Sequence, residues 1–176
     1  MKPMLWIAPA ILVLSVTAHG QVTPQWEISG DYSYARANLN GSSFTLNGGG
    51  GALAQNLNDW FGARFEANAF GTTTAGTRVT MQTVTFGPVF TYRKLSRVTL
   101  YGDVEFGDVH ASAGYLGIST SANKFAMNAG GGVDFALNER AAIRVQGNYL
   151  MTRFLNARQD NLQVSTALVI RIGQQY

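Results

Sequence analysis

Seven charged side chains lie inside stretches of this chain that alternate apolar and polar residues: Arg64, Glu66, Asp103, Glu105, Asp134, Arg144 and Arg171. They share the polar parity of their stretches, three cations against four carboxylates. Such a set has two uses. Along a wide aqueous passage it would select ions. In a confined space the charges must pair with one another, because an unmatched buried charge is costly. The basic members are all arginine, whose planar fork matches a carboxylate, so a structural ion-pair network is the expectation. Other chemistry finds little footing. The chain has no cysteine and two histidines, His19 and His110, too few for a metal centre, and no cofactor is expected. The glycine runs Gly48–Gly51 and Gly130–Gly132 are not followed by the Gly-Lys-Ser/Thr of a phosphate loop. No run of like charges suggests a nucleic-acid partner. His110 and Ser112 would share a face in a strand, a geometry in which histidine can activate serine. The surrounding stretch reads as the start of a loop, however, so a solvated histidine is expected and the chain is not read as an enzyme.

The elements that carry these charges have the strand period of two. Trp26, Ile28, Gly30, Tyr32 and Tyr34 oppose Glu27, Ser29, Asp31 and Ser33; Phe61, Ala63, Phe65, Ala67 and Ala69 oppose Gly62, Arg64, Glu66 and Asn68. Val84, Phe86, Pro88, Phe90 and Tyr92 oppose Thr83, Thr85, Gly87 and Thr91. Val98, Leu100, Gly102, Val104 and Phe106 oppose Thr99, Tyr101, Asp103 and Glu105. Similar stretches run from Phe125 to Leu137, from Ile143 to Tyr149 and from Leu162 to Ile172. An eighth strand, second in order, spans roughly Phe44 to Gln55. Its four glycines declare no face, and Phe44, Leu46, Ala52 and Ala54 are assigned to the apolar side. No stretch of comparable length shows an apolar helix stripe. The chain is read as all-β.

Short connections (Asn56–Asp59, Arg93–Arg97, Asn138–Arg140) alternate with longer Gly-, Ser-, Thr- and Asn-rich ones (Arg36–Ser43, Gly71–Arg78, His110–Ala122, Arg153–Gln159). This is an eight-stranded antiparallel up-and-down meander, with short turns at one end and long loops at the other. Which face points inward is decided by composition. Charged residues are 13% of the chain, about half the roughly 25% of soluble domains. After Lys2 there are only two lysines, Lys94 and Lys124, too few for a water-facing polar surface. Glycines on the polar parity leave room for large charged neighbours, as a narrow lumen requires. Aromatics gather at strand ends on the apolar face: Trp26, Phe61, Tyr92 and Phe135 near the short turns, Tyr34, Phe44, Phe125 and Tyr149 near the long loops. Two such belts suit the two membrane interfaces. The apolar side faces lipid, which makes a transmembrane β-barrel.

The N-terminus agrees. Lys2 precedes an apolar run from Leu5 to Val16, and Ala18 and Gly20 then place small residues at the −3 and −1 positions before Gln21. The run is too short for a membrane helix, which needs about 20 residues. Residues 1–20 are therefore read as a cleavable signal peptide and 21–176 as the barrel domain.

The mature chain resembles the small OmpA-like outer-membrane barrels. Segments that carry the resemblance are Phe86-Gly87-Pro88-Val89-Phe90-Thr91-Tyr92-Arg93, Gly130-Gly131-Gly132-Val133-Asp134, and Val164 to Gly173. It implies an eight-stranded barrel with a polar, largely plugged lumen, in the Gram-negative outer membrane and in contact with its lipid. The final alternating strand, ending in Tyr176, is similar to the signal that the barrel-assembly machinery reads. The peptidoglycan-binding domain of larger family members is not seen, and the ligand of the outward-facing loops is not specified. The His110-x-Ser112 pair is similar to that of the outer-membrane lipid A deacylases, but Ala113 stands where that family has Asn. A structural or interaction protein is the reading. A narrow porin-like channel and a soluble periplasmic ligand-binding barrel stay open as alternatives.

Overall fold

The computed structural model describes residues 22–174 except 40–41, 75–76, 116–117 and 155–156. Of 37–39, 42–44, 74, 77, 113–115, 118–120, 122, 153–154 and 157–160 it describes the backbone alone. The expected signal peptide and Tyr176 lie outside the described residues.

Every described element is a strand: β1 (Trp26–Leu39), β2 (Ser42–Asn56), β3 (Phe61–Thr74), β4 (Thr77–Tyr92), β5 (Val98–Tyr115), β6 (Ile118–Ala136), β7 (Ala141–Phe154) and β8 (Ala157–Ile172). Each pairs antiparallel with the next, and β8 pairs with β1 to close an eight-stranded up-and-down barrel. Closure leaves no open sheet edge where the wall is complete, which is what a hydrocarbon surround demands of backbone polar groups.

Two of the short turns repeat one device. In Leu57-Asn58-Asp59-Trp60 the Asn58 side-chain oxygen accepts from the backbone N–H groups of Trp60 and Phe61, at 3.0 and 2.8 Å. In Leu137-Asn138-Glu139-Arg140 the Asn138 oxygen accepts from Arg140 N at 2.8 Å. Asparagine folds the chain back by mimicking a backbone acceptor.

The other end differs from the expected long loops. Strands of 14 to 19 residues exceed the roughly 9–11 needed to cross a bilayer, and the surplus continues as paired hairpins. Thr72, Thr73 and Thr74 pair with Val79, Arg78 and Thr77. Ser112 to Tyr115 pair with Ser121 to Ile118. Threonine-rich tracts read as loops because they are polar, yet threonine's branched Cβ favours a strand. Pairing across the wall stops earlier at two seams. β2 and β3 pair only from Asn47↔Gly71 downward, and β6 and β7 only from Ala126↔Thr152 downward. Beyond those rungs the barrel parts into two four-stranded sheets, β3–β6 and β7–β8–β1–β2.

Seven strands orient as their alternation predicts. Ile28, Phe65, Phe86, Leu100, Phe135, Val145 and Leu168 are each more than 40% exposed on the outer wall, a surface that only lipid would cover. Aromatic contacts mark both margins of this band. Trp60 stacks on Phe90 with centroids 6.2 Å apart near the short turns, and Phe106 stacks on Phe125 at 6.3 Å near the hairpins. β2 is a correction: Leu46, Ala52 and Ala54 point inward, and Leu53 is the outward apolar residue. Alanines and glycines here line the wall opposite bulkier groups, so small size, not apolar character, placed them inside. The side chain of Phe44 lies outside the described residues.

Candidate functional site

The inward face of the barrel is the only place where the chain concentrates polar chemistry among the described residues, and it forms three tiers. The lowest, near the short turns, is an interlocked set. Arg144, from β7, donates to both oxygens of Asp134 on the neighbouring strand at 2.6 and 2.8 Å. The same guanidinium reaches Glu27 on β1 at 2.9 Å. Glu27 also accepts from Arg93 at 2.7 Å, and Arg93 donates onward to Asn56 at 3.2 Å. Arg171 lies 3.7 Å from Asp134 and 3.4 Å from Thr99 Oγ1. Asn56 ties the tier to the incoming chain by donating to the Pro24 carbonyl at 2.8 Å.

The middle tier turns on Tyr101. Its ring lies 4.3 Å from the Arg144 guanidinium carbon and 5.5 Å from that of Arg64, within cation–π range of both. Its hydroxyl donates to Gln146 at 2.5 Å, and Arg64 donates to the same oxygen at 3.1 Å. The ring fits because its cross-strand partner is Gly132, where an added Cβ would stand 2.9 Å from the Tyr101 hydroxyl. Arg64 also pairs with Glu66, which accepts from Asn68 at 2.6 Å. Glu105 accepts from Thr85 at 2.5 Å and lies 3.4 Å from Arg64. Asp103 is 4% exposed, and neither of its oxygens has a hydrogen-bond partner among the described residues.

The uppermost tier is mainly apolar, with Thr152 of β7 and Asn161 and Gln163 of β8 as buried polar side chains at its rungs. Ala35, Leu46, Phe70, Met81, Val109, Ala126 and Leu150, one from each of β1 to β7, form a buried cluster across the interior. It sits at the level where the two seams begin, since Asn47↔Gly71 and Ala126↔Thr152 are the last rungs there.

The pattern of the family described as "Outer membrane protein beta-barrel domain" matches residues 6–168. The chain belongs to this family. No curated protein matches the chain in sequence at a significant level. Among solved structures it is similar to Neisserial surface protein A, with TM-score 0.75 at 12% identity, covering 84% of this chain and 97% of that one. It is also similar to the attachment invasion locus protein Ail of Yersinia pestis, with TM-score 0.60 at 19% identity, covering 84% and 99%. OprG of Pseudomonas aeruginosa gives TM-score 0.57 at 10% identity, covering 88% and 98%. At these identities the likeness is one of fold. Outer-membrane barrels as a class carry short turns on the periplasmic side and longer connections outside.

All seven charged residues singled out from the sequence face this lumen and are buried. The structure draws six of them into ion pairs. Asp103 stays outside hydrogen-bonding reach of the others. Two members were missed. Glu27 lay on the polar parity of its strand but near its start, and Arg93 lay just past the end of β4, in a turn by sequence. Arginine's length carries its guanidinium back into the lumen from there. With them the buried lumen holds Arg64, Arg93, Arg144 and Arg171 against Glu27, Glu66, Asp103, Glu105 and Asp134. His110 is a further correction: it belongs to β5, not to a loop, and is exposed on the outer face. It contacts Asn123 at 2.5 Å, while Ser112 bonds Thr80 at 2.7 Å. No hydrogen bond joins His110 to Ser112 among the described residues.

Proposed function

We propose that this barrel serves the outer membrane as a structural or interaction protein and not as a conduit. The observation that carries the reading is the apolar tier above the charged ones. An ion that left the charged tiers would meet a mainly apolar constriction of Leu46, Phe70, Met81, Val109 and Leu150, with only the uncharged Thr152, Asn161 and Gln163 beside it, and such constrictions oppose conduction by dewetting. The charged tiers below act as mutual ligands and stiffen the wall. Any specificity then lies outside, on the two protruding sheets. There β6 leaves its edge from Ile118 to Phe125 unpaired by β7, the kind of edge to which an extended segment can add. This reading gives the chain no catalytic step, and the lumen charges a structural task.

The test is conductance of the purified, refolded protein in planar bilayers. No steady current is expected from the wild type. Large, steady, ion-selective currents would overturn the reading in favour of a narrow channel. That second reading has one observation on its side: Asp103, Asn148 and several other buried lumen atoms lack hydrogen-bond partners among the described residues, as groups along a water file would.

A further inference from the structure

Beneath the lumen, at the periplasmic rim, a cavity of about 890 Å³ opens between the β4–β5 turn, the β6–β7 turn, the entering chain and the end of β8. We propose that it binds the phosphate of an anionic phospholipid of the periplasmic leaflet. Among the described residues three arginines line it, Arg97, Arg140 and Arg171, against one carboxylate, Glu139. The side chains of Arg97 and Arg140 make no hydrogen bond or ion pair among the described residues, unlike the arginines of the lumen. A guanidinium fork is suited to two oxygens of one phosphate.

The rim is fixed before any ligand arrives. Ala136 N donates to the Arg97 carbonyl at 2.8 Å, and Arg171 N donates to the Arg140 carbonyl at 2.8 Å. Each turn is thereby clasped to the neighbouring strand, and the two exposed arginines stand on held backbone. Past β8, Gly173 takes φ of +72°, a conformation that glycine adopts without strain, and this redirects the chain so that Gln174 closes one side of the cavity.

The rest of the lining selects the source of the phosphate. Leu137 and Ile172 border the same cavity and are exposed on the lipid-facing wall. Ile172 and Ile170 continue the outward row that holds Leu168, Thr166 and Val164. A free phosphate would use the arginines alone. A phospholipid would use both linings at once, its headgroup at the rim and its chains along that row.

Native mass spectrometry of the refolded protein in detergent tests this, with phosphatidylglycerol and phosphatidylcholine of matched chains and soluble glycerol phosphate as probes. The wild type is expected to retain phosphatidylglycerol roughly tenfold better than phosphatidylcholine, the scale of one charge-assisted contact. Arg97→Gln with Arg140→Gln should remove that preference while leaving heat-modifiable migration and bilayer behaviour unchanged. Excess glycerol phosphate should not displace the lipid. Equal retention of the two lipids by the wild type would overturn the proposal without any variant. So would an undiminished preference in the double variant. Displacement by glycerol phosphate would mean that the site takes a free phosphate and not a lipid.

Discussion

The lower and middle tiers of the lumen contain the same residue types, yet they are built differently. In the lower tier three arginines meet two carboxylates, and Arg144 alone makes three hydrogen bonds to them. In the middle tier Arg64 faces three carboxylates, Glu66, Asp103 and Glu105, of which Asp103 has no hydrogen-bond partner among the described residues. Burial is the same in both, so the contrast isolates what pairing contributes. A buried charge with good partners locks the structure; one without them is a load that the rest must carry.

The largest effect should come from breaking the interlocked tier. Arg144→Ala leaves Asp134 and Glu27 facing each other's field with one cation fewer, and also strips one face of Tyr101. The expected loss is about 3–5 kcal/mol, the usual cost of orphaning a buried charge. Equilibrium unfolding by urea in lipid vesicles would read it. The double variant Arg144→Ala with Asp134→Ala should recover part of the loss, with a coupling of roughly 0.5–3 kcal/mol. Strict additivity of the two changes would mean that the pair is not a unit.

A smaller contrast sets the wall's two faces against each other. Val145→Arg places a charge among lipid chains and should cost about 2–4 kcal/mol near mid-membrane. Thr85→Arg adds an arginine beside Glu105, in the tier with surplus carboxylates, and should cost less. Folding yield into vesicles at several urea concentrations would rank them. An inverted ranking would reverse the assignment of faces.

How much of this was legible depends on what each residue type reveals. Alternation exposed the outward face of seven strands because Phe, Leu, Val and Tyr recur on one parity, interrupted there by small or uncharged residues such as Gly30, Ala67, Pro88 and Thr166, and a charge at mid-membrane depth is costly. It failed in β2, where Gly48 to Gly51 carry no side chain and Leu46 and Leu53 lie on opposite parities. The charged lumen set was readable from parity, since a mid-strand arginine on the polar side has nowhere else to point. Arg93 was not, because its reach depends on the barrel closing over it. The apolar tier was hidden for another reason. Phe70, Met81, Val109 and Leu150 share the parity of the polar residues, and only the three-dimensional registers bring them to one level. The hairpin extensions were misread because polarity was taken for looseness. Thr72 to Thr74 are polar and still pair.

The smallest expected effect has the opposite sign to the first and sharpens the comparison most. Asp103→Asn removes the charge of the one lumen carboxylate that has no hydrogen-bond partner among the described residues, and keeps its shape. Were every buried charge a stabilising strut, this change would weaken the barrel as Arg144→Ala does. The geometry argues otherwise. Arg64 is already committed to Glu66, Glu105 and Gln146, so neutralising Asp103 frees no cation that lacks other partners. It also relieves the repulsion among three carboxylates gathered round a single arginine. The amide is cheaper to keep out of water than the carboxylate, whose burial without hydrogen bonds is the costlier state. Asp103→Asn should therefore leave stability unchanged or raise it by about 1 kcal/mol, as a shifted urea midpoint with an unchanged slope. A loss comparable to that of Arg144→Ala would show that Asp103 has a strong partner in the folded barrel, and that the two tiers are built alike.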